Sequence, residues 1–162
     1  MEVPPGRVER ISDGGSDALR AILADLRTMK FNGILRTSVF RGDVPSQGLL
    51  VFRNGDGVLA EHRSAEAILG PDAVREILRD AASDKAQLEV RTYDYGHSSI
   101  SLDHIQKSNG GAAIGGIGNV DRALGDVVAM CPPLVITAEE VDALAGTIIA
   151  AVRETEREIR AA

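Results

Sequence analysis

The side chains that could act as bases, nucleophiles or metal ligands come first: His62, His97, His104, Cys131 and the three lysines, Lys30, Lys85 and Lys107. No two histidines stand at the i, i+4 spacing that puts two ligands on one helix face, and no carboxylate motif joins them. Each reads as a surface or turn histidine. His97-Ser98-Ser99 pairs a base with hydroxyls, but adjacent loop residues do not make a nucleophile elbow. Cys131, between Met130 and Pro132, reads as a small buried hydrophobe. None of the lysines lies in a Schiff-base motif. The stretch SNGGAAIGGIGNV carries Gly110, Gly111, Gly115, Gly116 and Gly118. A phosphate-cradling loop would need Gly-Lys-Ser/Thr there, so the stretch reads as a linker. Tyr93-Asp94-Tyr95 reads as an exposed strand end. The residues alone therefore predict no catalytic site and no metal site.

The elements around them are clearer. Residues 31–62 read as a three-stranded antiparallel meander. Leu35, Thr37 and Val39 alternate with Ile34, Arg36 and Ser38, as a half-buried strand requires. Gly42, Asp43, Pro45 and Gly48 predict a loop before a second strand, Leu49 to Arg53. Asn54-Gly55 then turns the chain into Val58 to His62. Leu19, Ile22, Leu23 and Leu26 form one face of a helix starting at Ser16 or Asp17. Pro71 opens a second helix, with Val74, Ile77, Leu78 and Ala81 inward. Ala86 to Asp94 predicts a fourth strand, and Ser99 to Lys107 a short helix.

Beyond the glycines, two prolines bend an extended apolar segment over 126–136. Thr137 and Glu140 form a capping box for an amphipathic helix with Val141, Leu144, Ile148 and Val152 on one face. The expected organisation is a flexible leader (1–15), an α+β domain (16–107), a Gly-rich linker (108–120), and a strand plus C-terminal helix (121–162). The fold class is α+β: a small antiparallel sheet, the meander plus one further strand, flanked by helices.

With 162 residues the chain can build a real core, and 44% hydrophobic with 26% charged residues is a globular composition. A net charge of -6 argues against general nucleic-acid or anionic-membrane binding. One cysteine allows no internal disulfide. The N-terminal MEVPPGRVER lacks a secretory apolar core, and no apolar run reaches transmembrane length, so a cytoplasmic location is expected.

Two resemblances extend this reading. Lys30-Phe31-Asn32-Gly33-Ile34-Leu35-Arg36-Thr37, then Gly48-Leu49-Leu50-Val51-Phe52-Arg53-Asn54-Gly55, then the helix from Asp72 to Ala81, resemble the PATAN-type domains of prokaryotic regulatory proteins over about residues 23–105. That resemblance implies a non-catalytic adaptor in a signalling system. It implies a protein partner, with the meander's outer edge and the final helix as contact surfaces and a second copy of the chain as one candidate. The string DRALGDVVAMCPPLVITAEEVDALAGTIIAAV, about residues 121–153, looks like the end of a class III aminotransferase. It implies, as the alternative, a partial pyridoxal-phosphate enzyme in which Arg122 contacts a substrate carboxylate.

Overall fold

The period-two alternation that runs through the meander becomes, in a computed structural model, three long antiparallel strands. The structure describes residues 1–95, 100–115, 120 and 122–125. The chain divides into two units, Met1–Met130 and Cys131–Ala162. The second unit, with Cys131, most of the expected proline-bent strand and the C-terminal helix, lies outside the described residues. So do His97, Ser98 and Ser99, and residues 116–119.

The first unit is α+β. Its elements are β1 (Arg7–Asp13), α1 (Ser16–Thr28), β2 (Gly33–Arg41), β3 (Val44–Arg53), β4 (Asp56–Arg63), β5 (Ala67–Leu69), α2 (Pro71–Ala81), β6 (Gln87–Thr92) and α3 (Leu102–Ser108). The strands form one antiparallel sheet in the order β1-β6-β2-β3-β4-β5. Leu19, Ile22, Leu23 and Leu26 of α1 and Val74, Ile77, Leu78 and Ala81 of α2 pack with Leu35, Leu50, Ala60, Leu88 and Val90 on one face. Ile34, Val51, Leu59 and Tyr93 pack with Ile105 of α3 and Ala112 on the other. Adjacent residues such as Ile34 and Leu35, or Leu50 and Val51, are thus buried on opposite faces. Phe31 meets Phe52 edge to face, with ring centroids 6.4 Å apart.

Several expectations change. The leader is built into the fold. β1 pairs with β6 from Arg7–Thr92 to Asp13–Gln87. Its side chains are almost all exposed, so it carries no apolar alternation to read, and its place rests on backbone hydrogen bonds. Residues 1–5 cross the back of the sheet as a strap. The Tyr93 hydroxyl donates to the Pro4 carbonyl (2.9 Å), and Arg91 donates to the carbonyls of Pro5 (3.0 Å) and Gly6 (3.3 Å). The Asn109 side chain exchanges two 2.9 Å hydrogen bonds with the backbone of Glu2. Tyr93 is therefore buried under the strap, not an exposed strand end.

The meander's outer strands are not the edges of the sheet, because β6 pairs with β2 over Gly33–Ser38 and β5 with β4 over Glu61–Arg63. Nor is the start of the 108–120 stretch a linker. Gly110–Ala112 make a 3₁₀ turn, Ala113 pairs with Leu59, and Ile114 is fully buried. No helix among the described residues is long and apolar enough to cross a membrane.

Two outcomes test this packing. A Cβ on Gly33 would lie 2.2 Å from the Arg91 backbone oxygen and 2.6 Å from the Phe31 ring, whereas one on Gly110 meets nothing. Gly33→Ala is expected to cost about 1–3 kcal/mol in a urea titration, as overpacking does, while Gly110→Ala leaves stability nearly unchanged. Burial, with a smaller contribution from Tyr95, raises the Tyr93 phenol from 10.0 to about 12. The folded state then holds a proton the unfolded state has lost. This contribution to stability is complete below pH 10 and lost as the pH climbs towards 12. Tyr93→Phe should remove that part of the alkaline destabilisation.

Candidate functional site

The β2–β3 hairpin closes through a two-residue turn, Gly42-Asp43, flanked by the Arg41–Val44 pair. The loop predicted from Gly42 to Gly48 is therefore a two-residue turn followed by strand. Such a hairpin makes the flanking pair the hydrogen-bonded one, so the next pair, Phe40–Pro45, is not. The Pro45 nitrogen then faces away from β2, on the side where β4 pairs only from Gln47 onwards. A proline is tolerated there because no ladder bond is lost.

This register places Arg41, Val44, Ser46 and Gly48 on the face that carries α2. His62 of β4 stands opposite Gly48. Gly48 matters because a Cβ on it would lie 2.6 Å from Ile77 Cγ1. Its absence lets α2 settle close to the sheet. Asp80, one turn beyond Ile77, then reaches the strands.

Four side chains meet there. Ser46 Oγ donates to Asp80 Oδ2 at 2.6 Å. His62 Nε2 lies 2.9 Å from the same oxygen and 2.8 Å from Ser46 Oγ. With the hydroxyl proton directed at the carboxylate, Nε2 must carry the proton it shares between the two. Arg41 Nε donates to Asp80 Oδ1 at 2.6 Å, and Arg41 Nη1 to Glu76 Oε2 at 2.9 Å. Arg79 donates to the other oxygen of Glu76 at 2.7 Å. Ser46, His62 and Asp80 are all at most 3% exposed. Partial burial of Arg41 works against its charge, but the hydrogen bonds and charges of Glu76 and Asp80 outweigh it and raise its pKa. The buried His62 Nδ1 has no partner.

Serine, histidine and aspartate within hydrogen-bond distance suggest acyl transfer, yet the geometry is wrong for it. A working triad holds one imidazole nitrogen with the carboxylate and meets the nucleophile with the other. Here both partners share Nε2, the serine proton points at the carboxylate, and the serine, histidine and aspartate are buried. The cluster acts as a clasp between α2 and the meander.

The sequence-derived candidates fall elsewhere. His62 is a core residue, not a surface or turn one. His104 is exposed on α3, and Arg122 is exposed among the helical residues 122–125. Lys30, Lys85 and Lys107 are exposed. No three His, Cys, Asp or Glu side chains among the described residues are grouped to hold a metal.

The opposite face of β2–β4 carries a second, open feature. Its residues stand in rows across the strands: Arg36, Leu49 and Glu61; Ser38, Gln47 and Arg63; then Phe40 and Pro45 at the hairpin tip. Between the strap and the first two rows lies a groove of about 270 Å³, lined by Met1, Val3, Pro4, Pro5, Arg36 and Arg63 among others. The buried Glu61 is neutralised from two sides, by the Met1 amine at 2.6 Å and by Arg63 at 2.9 and 3.0 Å.

Residues 1–104 match the model of the family described as "Uncharacterized protein conserved in archaea (DUF2226)". The chain belongs to this family. The DUF2226 match takes in every residue of the clasp and of the back-face rows. No curated protein and no solved structure matches the chain.

The clasp predicts an order of stabilities. Asp80→Ala takes the shared carboxylate from Ser46 and His62, which keep only each other, and leaves the Arg41 guanidinium half-paired. It is expected to cost about 3–5 kcal/mol, the loss typical of breaking a buried pair. Ser46→Ala removes one donor while His62 keeps Asp80, and should cost about 1 kcal/mol. Chemical denaturation followed by circular dichroism measures both, and equal small losses would show that Asp80 is not the hub.

Proposed function

We propose that the chain is a non-catalytic protein-interaction module of a prokaryotic signalling system, PATAN-like in type. The observation that carries this reading is Phe40. At 71% exposure it is the most exposed large apolar side chain among the described residues, and it sits at the tip of a hairpin that Arg41 and Ser46, on either strand, clasp to α2. A rigidly held, exposed aromatic is the kind of side chain that anchors an interface. Val44 and Pro45 beside it are exposed too. The sheet edges are poorer contact surfaces. β1 carries Arg7, Glu9 and Arg10 with a register shift between Val8 and Arg10, and β5 has three residues. Both are devices that blunt edge pairing. Among the described residues, the group that looks like catalytic machinery is buried and wrongly wired. The pyridoxal-phosphate reading has less support, since a Schiff-base lysine needs a desolvated pocket and all three lysines are exposed.

The test replaces Phe40 with the photo-reactive analogue benzoylphenylalanine and irradiates cells of the source organism that express the protein. A discrete adduct with one partner protein, absent when the analogue stands at exposed Glu66, is the expected result. No adduct, or the same adducts from both positions, would overturn the reading.

A further inference from the structure

The exposed charges of the back-face rows are opposite in sign to the chain's net charge. On a chain of net charge -6, the two charged side chains exposed in these rows are both arginines. Arg63 is 61% exposed and Arg36 44%. Arg36 faces Glu89 at 3.8 Å, beyond hydrogen-bond reach, so its guanidinium is open to a better partner. Glu61, the acidic residue of these rows, is buried and already neutralised. The amide of Gln47 is exposed between the two arginines. The surface therefore offers cationic forks beside an apolar tip of Phe40 and Pro45.

The spacing is specific as well. Successive rows on one face of a sheet are two residues apart, about 7 Å. Alternate side chains of any extended peptide have the same repeat. A segment lying along the strands can then place one side chain over each row. An apolar side chain would sit on Phe40–Pro45. The residue two further on would meet Arg63 and Gln47, and the one four further on would meet Arg36. The guanidiniums pair bidentately with carboxylates.

We infer that the back face of β2–β4 binds an extended acidic segment of a partner protein, with the pattern apolar-x-acidic-x-acidic in one chain direction or the other. This rests on the interaction-module reading and names the chemistry of its partner. A peptide fits the surface better than a nucleic acid. A polyphosphate backbone carries a charge on every nucleotide and would meet the repulsion of the chain's net charge of -6 along its whole length, whereas the peptide carries its carboxylates only opposite the two arginines.

The test is fluorescence anisotropy with the full chain and four labelled probes. These are the peptides Phe-Ser-Glu-Ser-Glu and Glu-Ser-Glu-Ser-Phe, the isomer Phe-Glu-Glu-Ser-Ser with the same charge, and a thymidine oligonucleotide. One of the first two should bind saturably and at least about tenfold more tightly than the isomer, a difference of roughly 1.4 kcal/mol. Binding should weaken with salt, and Arg36→Gln should reduce it several-fold. Arg36→Gln is the variant of choice because Arg36 makes no close ion pair, whereas Arg63 neutralises buried Glu61. Phe40→Ser, at an exposed position, gives a second fold-neutral check. No saturable peptide binding, equal binding of the isomer, or tighter binding of the oligonucleotide would each overturn the inference. If crosslinking at position 40 still captures a partner in those cases, the module reading stands and the acidic pattern alone falls.

Discussion

The buried carboxylate of Asp80 is the constraint on which the meander's geometry depends. An aspartate at 3% exposure is costly unless each of its oxygens is engaged. Here one oxygen takes the Ser46 hydroxyl and shares the His62 N–H, and the other takes Arg41. These partners come from β2, β3 and β4. A register slip of one residue would send Ser46 or His62 to the opposite face and strand the charge. The carboxylate therefore selects one alignment of three strands against one helix, where an aliphatic side chain would have tolerated several. Gly48 is part of the same arrangement, because it admits Ile77 and so brings Asp80 within reach.

The two faces of the sheet are finished differently. Towards α1 and α2 the meander is covered, and the buried charged and imidazole groups there are internal to the clasp. On the other side only the far end is covered, by the strap and α3, while the end near the hairpin tip stays open. Helix, clasp and hairpin form a stiff base under that open end. The residues that look most like an active site are thus the support of the open face.

Much of the fold was legible. The 3.6-residue period of Leu19, Ile22, Leu23 and Leu26, and of Val74, Ile77, Leu78 and Ala81, located α1 and α2, and Pro71 marked the start of α2. The alternation of Leu88, Val90 and Thr92 located β6. The clasp was not legible, for separable reasons. Ser46 lies among Gly42, Asp43, Pro45 and Gly48, which read as a loop, and the strand could be recognised only once β4 was known to stop short of Pro45. His62 shares the parity of buried Ala60, which was the available signal, but one alternation in a short strand does not separate a core histidine from a terminal one. Asp80 follows Ile77 by three residues and so lies on the buried stripe, yet a carboxylate there reads as solvated until its partners are known. β1 has almost all of its side chains exposed, and Val8 and Ile11, three residues apart, do not alternate as a half-buried strand would.

The placement of β1 has a consequence for how the molecule is made. Its partner, β6, is synthesised about eighty residues later, since Arg7 aligns with Thr92. Contacts of such long sequence separation form slowly, because the intervening chain must first be organised. On a ribosome, α1 and the meander can assemble while β1 and the strap still have nothing to lie against. β1, which leaves the ribosome well before its partner strand, is then among the last of these elements to dock. Until it does, the apolar back of β2 and β3 stays uncovered in the nascent protein.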